Sequence, residues 1–160
     1  MITPVETPEQ IETTAQLART VWREHYIPIV GEAQVEYMIA RFQSPDAITR
    51  QINRDGMRYY LIGDAQGYLA FEPQGDALFL SKLYVLGKDR GKGLGREGFD
   101  FVIEQAKAGG HSRIELTVNR GNVIAIAAYE SFGMKRTGER VTEIGGDFVM
   151  DDFVYELEVA

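Results

Sequence analysis

A chain of 160 residues, 44% hydrophobic and 26% charged, has the size and balance of one ordinary globular domain that needs no staple to fold. It has no cysteine, which excludes a disulfide framework, a thiolate zinc site and a cysteine nucleophile. Its formal net charge of −7 argues against nucleic acid, whose binding rests on phosphate neutralisation, and suits a small cationic partner, because a negative field concentrates cations.

The first six residues lack the basic-then-apolar order of a signal peptide, and no apolar run approaches the roughly 20 residues of a membrane span. The expectation is a cytoplasmic protein that engages no membrane. Thr7-Pro8-Glu9-Gln10 predicts a helix start: Thr7 caps, Pro8 fits the first helical position, and Gln10 completes a capping box. Ile11, Ala15, Ala18 and Trp22 recur at helical spacing, with Leu17 and Val21 widening the stripe, and Pro28 and Gly31 are expected to end the helix. A second helix is predicted over about 33–43, and Ser44-Pro45 caps a short third one that stops near Gly56.

The hydrophobic period then shortens. Residues 58–63 and 68–72 read as strands joined across Asp64-Ala65-Gln66-Gly67, and Gln74-Gly75-Asp76 turns into a longer strand over 77–86. Beyond a glycine-rich loop, a helix is predicted over about 93–108 with Leu94, Gly98, Phe101 and Val102 on one face, broken by Gly109-Gly110. Residues 113–118 read as a strand, 122–132 as a helix, and two strands flank Gly145-Gly146. This order predicts one domain over residues 1–160, an α/β (α+β) fold whose mixed sheet carries helices on its faces.

The most informative stretch is Lys88-Asp89-Arg90-Gly91-Lys92-Gly93-Leu94-Gly95-Arg96, which leaves a strand and opens a helix. Free backbone N–H groups at the positive end of a helix dipole make an anion site. Glycines let the backbone approach the anion, and Arg90, Lys92 and Arg96 add positive charge to an acidic chain. A diphosphate suits this loop. It is not a P-loop, which would end in Gly-Lys-Ser or Gly-Lys-Thr, nor a dinucleotide fingerprint beside the first strand of a βαβ unit. A second constellation follows: Asn122, Ala125, Tyr129 and Gly133, at intervals of three, four and four, and then Met134.

Together these motifs resemble the GNAT superfamily of acyl-CoA-dependent N-acetyltransferases. Arg90, Gly93 and Gly95 meet that family's loop pattern. The second pattern is met except that Met134 stands where the family has an aromatic. The resemblance is close over residues 78–137, and it implies a mostly antiparallel central sheet with helices on both faces. It implies acetyl-CoA as co-substrate, with Arg90, Gly91, Lys92, Gly93, Leu94, Gly95 and Arg96 around its diphosphate and the strand end Leu83, Tyr84 and Val85, splayed from its neighbour, along its pantetheine arm. Tyr129 would protonate the departing thiolate. Asn122 would bind the cofactor or cap its helix, for which it has a sufficient structural reason.

An alkyl amine titrates near pKa 10 and arrives protonated, so direct transfer needs a base or an ordered path for the proton. Many relatives place a glutamate where this chain has Ser81, which cannot do that work unaided. His25, Glu72, Asp151 and Asp152 are the candidates. His25 and Tyr26 end the first helix, in a region that lines the acceptor cleft in this superfamily. The tail, residues 144–152, resembles bacterial polyamine acetyltransferases in pattern, with Asp151 and Asp152 before the final strand. The expected acceptor is therefore a polyamine or another small cationic amine. The alternatives are a protein or peptide N-acetyltransferase and a non-catalytic acyl-CoA-binding domain. The assembly is expected to be a monomer or homodimer.

Overall fold

The computed structural model describes residues 1–159. Three helices come early: α1 (Pro8–Val30), α2 (Glu32–Phe42) and α3 (Pro45–Asn53). The capping box forms as expected, with Gln10 N–H donating to Thr7 Oγ1 at 3.2 Å and Thr7 N–H donating to Gln10 Oε1 at 2.9 Å. Pro28 does not stop α1. It lies in the last turn, where its missing N–H costs a single hydrogen bond, and the helix runs on to Gly31, whose φ of +88° breaks it.

The strands are β1 (Ile2–Pro4), β2 (Arg58–Ile62), β3 (Gly67–Gln74), β4 (Ala77–Val85), β5 (Arg113–Asn119), β6 (Lys135–Gly145) and β7 (Phe148–Glu158). Two more helices, α4 (Leu94–Ala108) and α5 (Val123–Ser131), flank β5 in the sequence. The seven strands form one sheet in the order β1-β2-β3-β4-β5-β7-β6, and only the β4–β5 pair is parallel. The short β1, which periodicity did not reveal, pairs antiparallel with β2.

The sheet separates two apolar cores. Trp22, Val21, Val35, Met38 and Ile48 from α1–α3 pack on one face, while Phe99, Val102 and Ala106 of α4 and Tyr129 of α5 pack on the other. Phe99 and Ala106, not Phe101, complete the buried stripe of α4; Phe101 is half-buried. Gly98 has a packing reason, since a Cβ there would stand 3.0 Å from both Ile62 Cδ1 and Leu83 Cδ1. α4 therefore rides close to the sheet just after the glycine loop.

Two irregularities of β4 create the site. Its parallel pairing with β5 covers only Ala77, Leu78 and Phe79, after which the strands diverge. Its register with β3 shifts, Ala70 facing Lys82 and Phe71 facing Leu80, so Ser81 is an extra, bulged residue. A bulge bends its strand and re-aims side chains.

Candidate active site

Where β4 and β5 part, the β5-facing edge of β4 from Leu80 to Val85 loses its strand partner in the middle of a seven-stranded sheet. Interior backbone N–H and C=O groups need partners, so this edge is a built place for an extended ligand with amides of its own. A cleft of about 360 Å³ opens there, between the end of β4, the glycine loop and α5.

The loop begins with a single 3₁₀ turn over Gly87–Asp89 and ends at the N-terminus of α4. Gly91 and Gly93 sit at φ of +79° and +80°, which turns the backbone toward the cleft. Gly95 is different: it has no positive φ, and a Cβ added to it would meet nothing within 4 Å. Neither strain nor packing demands a glycine there, and glycine in a helix costs about 0.8–1 kcal/mol relative to alanine. The open space over Gly95 fits a ligand that must approach the α4 N-terminus closely. With Arg90 and Arg96 also lining the cleft, the loop fits the diphosphate of coenzyme A.

A second cavity, about 460 Å³, lies on the α1–α3 side of the sheet. Aromatic and methionine side chains, Trp22, Phe42, Met38 and Met150 among them, make its walls, and Asp55, Glu72 and Asp152 contribute carboxylates. The two cavities meet at five residues: Tyr26, Ser81, Lys82, Tyr84 and Thr117 line both. The wall is firmly held. The Tyr26 and Tyr84 hydroxyls hydrogen-bond at 2.8 Å, Trp22 packs edge-on to Tyr84 at 6.0 Å, and Trp22 Nε1 donates to Tyr68 Oη at 2.9 Å.

Leu83, Tyr84, Val85, Arg90, Gly91, Gly93, Leu94, Gly95, Arg96, Asn122 and Tyr129 all line the first cleft. Lys92 does not; its ammonium donates to Asp89 Oδ1 at 3.0 Å, and this bond, with a further one from Gln66, holds the Asp89 carboxyl below its usual range. Asn122 both caps α5, accepting from Ala125 N–H at 3.3 Å, and faces the cleft. Tyr129 is buried, its hydroxyl has no hydrogen-bond partner among the described residues, and burial pushes its pKa up.

His25 and Tyr26 separate. Successive helical residues point about 100° apart. Tyr26 reaches both cavities, but His25 lines only the first, where Arg90 Nη2 lies 2.7 Å from its Nε2. Burial, then the Arg90 charge, lowers the His25 pKa and favours the neutral ring; of the pair expected at the acceptor cleft, His25 lies beside the glycine loop and Tyr26 alone reaches the second cavity. Asp151 and Asp152 also separate, as alternating strand residues must. Asp151 pairs with Arg120 at 2.9 Å and lines neither cavity, whereas Asp152 is 4% exposed, lines the second, and leaves Oδ1 unpartnered. Burial, then the neighbouring Asp151 charge, raises the Asp152 pKa to about 6.

Lys82 escaped the sequence reading. It is 8% exposed, its Nζ is 2.8 Å from Ser81 Oγ, and burial lowers its pKa to about 8. Neighbours on a regular strand face opposite ways; the bulge turns Ser81 and Lys82 into one site. A lone lysine in an apolar strand was the one available signal.

The pattern of the acetyltransferase (GNAT) family matches residues 16–134. No curated protein sequence matches the chain. Among solved structures, the PaiA N-acetyltransferase of Thermoplasma acidophilum in complex with coenzyme A superposes with a TM-score of 0.79 at 21% identity, covering 99% of each chain. A GCN5-related N-acetyltransferase of Rhodopseudomonas palustris gives 0.81 at 16% identity, covering 99% of this chain and 94% of that one. The ribosomal-protein-S18-alanine N-acetyltransferase of Escherichia coli gives 0.72 at 18% identity, covering 100% and 94%. These likenesses establish a shared fold.

Proposed function

The chain belongs to the acetyltransferase (GNAT) family, so its reaction is acetyl transfer from acetyl-CoA to an amine, and we propose that the acceptor is a small cationic amine such as a polyamine. The observation that carries this reading is the second cavity, where three carboxylates and a wall of aromatic rings surround a space open to the β4 edge. Carboxylates and ring faces both attract an ammonium, and the aromatic and methionine side chains suit a methylene chain. Asp152, with an unpartnered buried oxygen, is the anchor for the non-reacting ammonium.

The remaining roles follow from position. Backbone N–H groups of residues 91–95, with Arg90 and Arg96, hold the diphosphate, and Leu83, Tyr84 and Val85 supply the strand edge for the pantetheine arm. Asn122 holds the start of α5. Tyr129, kept protonated by burial, donates a hydrogen bond to the departing sulfur, charge stabilisation that no water can supply as well in a buried site. Lys92 acts at a distance, by neutralising Asp89 beneath the loop.

An amine panel assayed by thiol release tests the reading. Aliphatic diamines and polyamines should give the highest kcat/KM, with monoamines of the same length lower. A preference for neutral or acidic peptides would overturn the cationic acceptor and favour a protein or peptide substrate. Acetyl-CoA binding without thiol release from any amine would favour a non-catalytic binding domain.

A further inference from the structure

A cationic acceptor sharpens a problem that the family pattern leaves open. An ammonium has no lone pair to attack with, and the strand position where a carboxylate base was sought carries Ser81. The proton must leave at the junction of the two cavities, because there the nitrogen meets the thioester. Five side chains line that junction. Thr117 does not titrate near neutrality, and the Tyr26 and Tyr84 phenols are pushed up by burial, away from a base's range. Ser81 and Lys82 remain.

Resting on the acetyltransferase reading, we propose that Lys82 is the proton acceptor of the reaction, drawing the ammonium proton through the Ser81 hydroxyl. The Lys82 ammonium touches Ser81 Oγ at 2.8 Å and Met57 Sδ at 3.9 Å, and no carboxylate is in ion-pair contact with it among the described residues. The titratable groups around it are the Tyr59 ring and those that line the second cavity with it. They are Glu72 of β3, the Tyr59 ring of β2 at 5.7 Å, Asp55 ahead of β2, Tyr26 of α1, Tyr84 of β4 itself and Asp152 of β7. Burial outweighs Glu72, whose charge raises the pKa, and the balance stands at about 8. A buried amine with no salt bridge has a neutral form within reach of physiological pH, as a proton acceptor needs. An arriving ammonium repels the charged form and favours the neutral one further.

The step balances. A proton passes from the acceptor ammonium to Ser81 Oγ as the Ser81 hydroxyl proton passes to neutral Lys82 Nζ. The freed lone pair forms the N–C bond to the thioester carbonyl carbon and the C–S bond breaks. The surplus proton on nitrogen goes to sulfur, with Tyr129 donating a hydrogen bond to it. Lys82 then releases its proton to solvent. No oxidant or further reactant is required. Asp152, which lines only the second cavity, stays the anchor.

The test uses Lys82→Met, Lys82→Arg and Ser81→Ala with the best amine of the panel, together with the NMR titration of labelled lysine side chains in the wild type. Methionine replaces a buried charge with an apolar chain of similar length, so the fold should hold. Both lysine variants should lose about 100-fold or more in kcat, the usual scale of a general base, with the acetyl-CoA Kd within about twofold of wild type. The acidic limb of the wild-type kcat profile, with a midpoint below the free protein's value of about 8 because the bound ammonium favours neutral Lys82, should vanish in both and persist in Ser81→Ala at lower kcat. One of the five lysines, the one whose resonance moves in Ser81→Ala, should titrate near 8 in the wild type, a measurement that needs no lysine variant to fold. Lys82→Met with wild-type kcat and limb would overturn the proposal. So would full activity in Lys82→Arg, where a fixed positive charge suffices, or a resonance titrating at the ordinary lysine value. Acetylated Lys82 in the intact-protein mass spectrum would make it an acceptor instead. Wild-type protein that acetylates no amine would overturn the acetyltransferase reading first and this inference with it.

Discussion

Gly93 and Gly95 stand two residues apart in one loop, yet they test different things. Gly93 has a φ of +80°, so any side chain there strains the turn whether or not a ligand binds. Gly95 has neither strain nor a neighbour within 4 Å of an added Cβ. Gly95→Val should therefore leave the melting temperature at or above wild type while raising the acetyl-CoA Kd tenfold or more, about 1.4 kcal/mol of lost binding. A thermal melt reads the first effect and isothermal titration the second; unchanged affinity in the folded variant would remove the diphosphate from this loop. Tyr129 allows a similar separation. Its hydroxyl bonds no group among the described residues, so Tyr129→Phe should neither destabilise the fold nor weaken acetyl-CoA binding, while kcat falls about 100-fold, the low end for acid assistance. Wild-type kcat in that variant would leave Tyr129 as a packing residue of α5 alone.

The β4 strand is paired along its whole length with β3 and along only three residues with β5. Its edge toward the cleft is therefore the part of the central sheet most in need of a partner. Hydrogen exchange should show amides of residues 80–85 that are unprotected in the free protein and become protected on adding acetyl-CoA, while those of β5–β7 hardly change. Protection confined to the glycine loop would mean that the pantetheine arm does not pair with β4. The hydrophobic pattern does not carry this gap, because divergence of two strands leaves the pattern of each intact; only the family resemblance implied that Leu83-Tyr84-Val85 splays from its neighbour. What was legible depended on local chemistry: the Thr7 cap, the Ser44-Pro45 start of α3, and the loop and α5 patterns that point to the same cleft from opposite walls. Pro28 misled because its effect depends on how near the helix end it lies. The placement of β7 between β5 and β6 depends on sheet order, which no local signal carries. Lys82 was missed for a related reason, since only the bulge at Ser81 turns a strand neighbour into a second member of the site.

The whole molecule carries a net charge of −7, and buried Asp152 beside Asp151 is a carboxylate whose ionisation costs stability. The native state raises its pKa from 3.8 to about 6, so the folded chain holds that proton more tightly than the unfolded chain does. Where the folded state binds more protons, stability falls as pH rises. The loss begins near pH 4, is complete a little above pH 6, and amounts to at most about 3 kcal/mol, less for any water that enters the cavity. Asp76 and Asp89, held low by Arg113 and Lys92, act oppositely and lose their contribution as the medium becomes acidic. Asp152→Asn should therefore raise the melting temperature at pH 7, by about 2–4 °C for each kcal/mol recovered, and make little difference at pH 4. An ammonium bound at Asp152 favours the ionised carboxylate and offsets the same penalty. A diamine should thus raise the wild-type melting temperature more at pH 7 than at pH 5, although the diamine is dicationic at both. In Asp152→Asn that difference should disappear while the shift caused by acetyl-CoA remains. A diamine shift that is independent of pH, or that survives in the variant, would place the ammonium anchor on Glu72 or Asp55 instead.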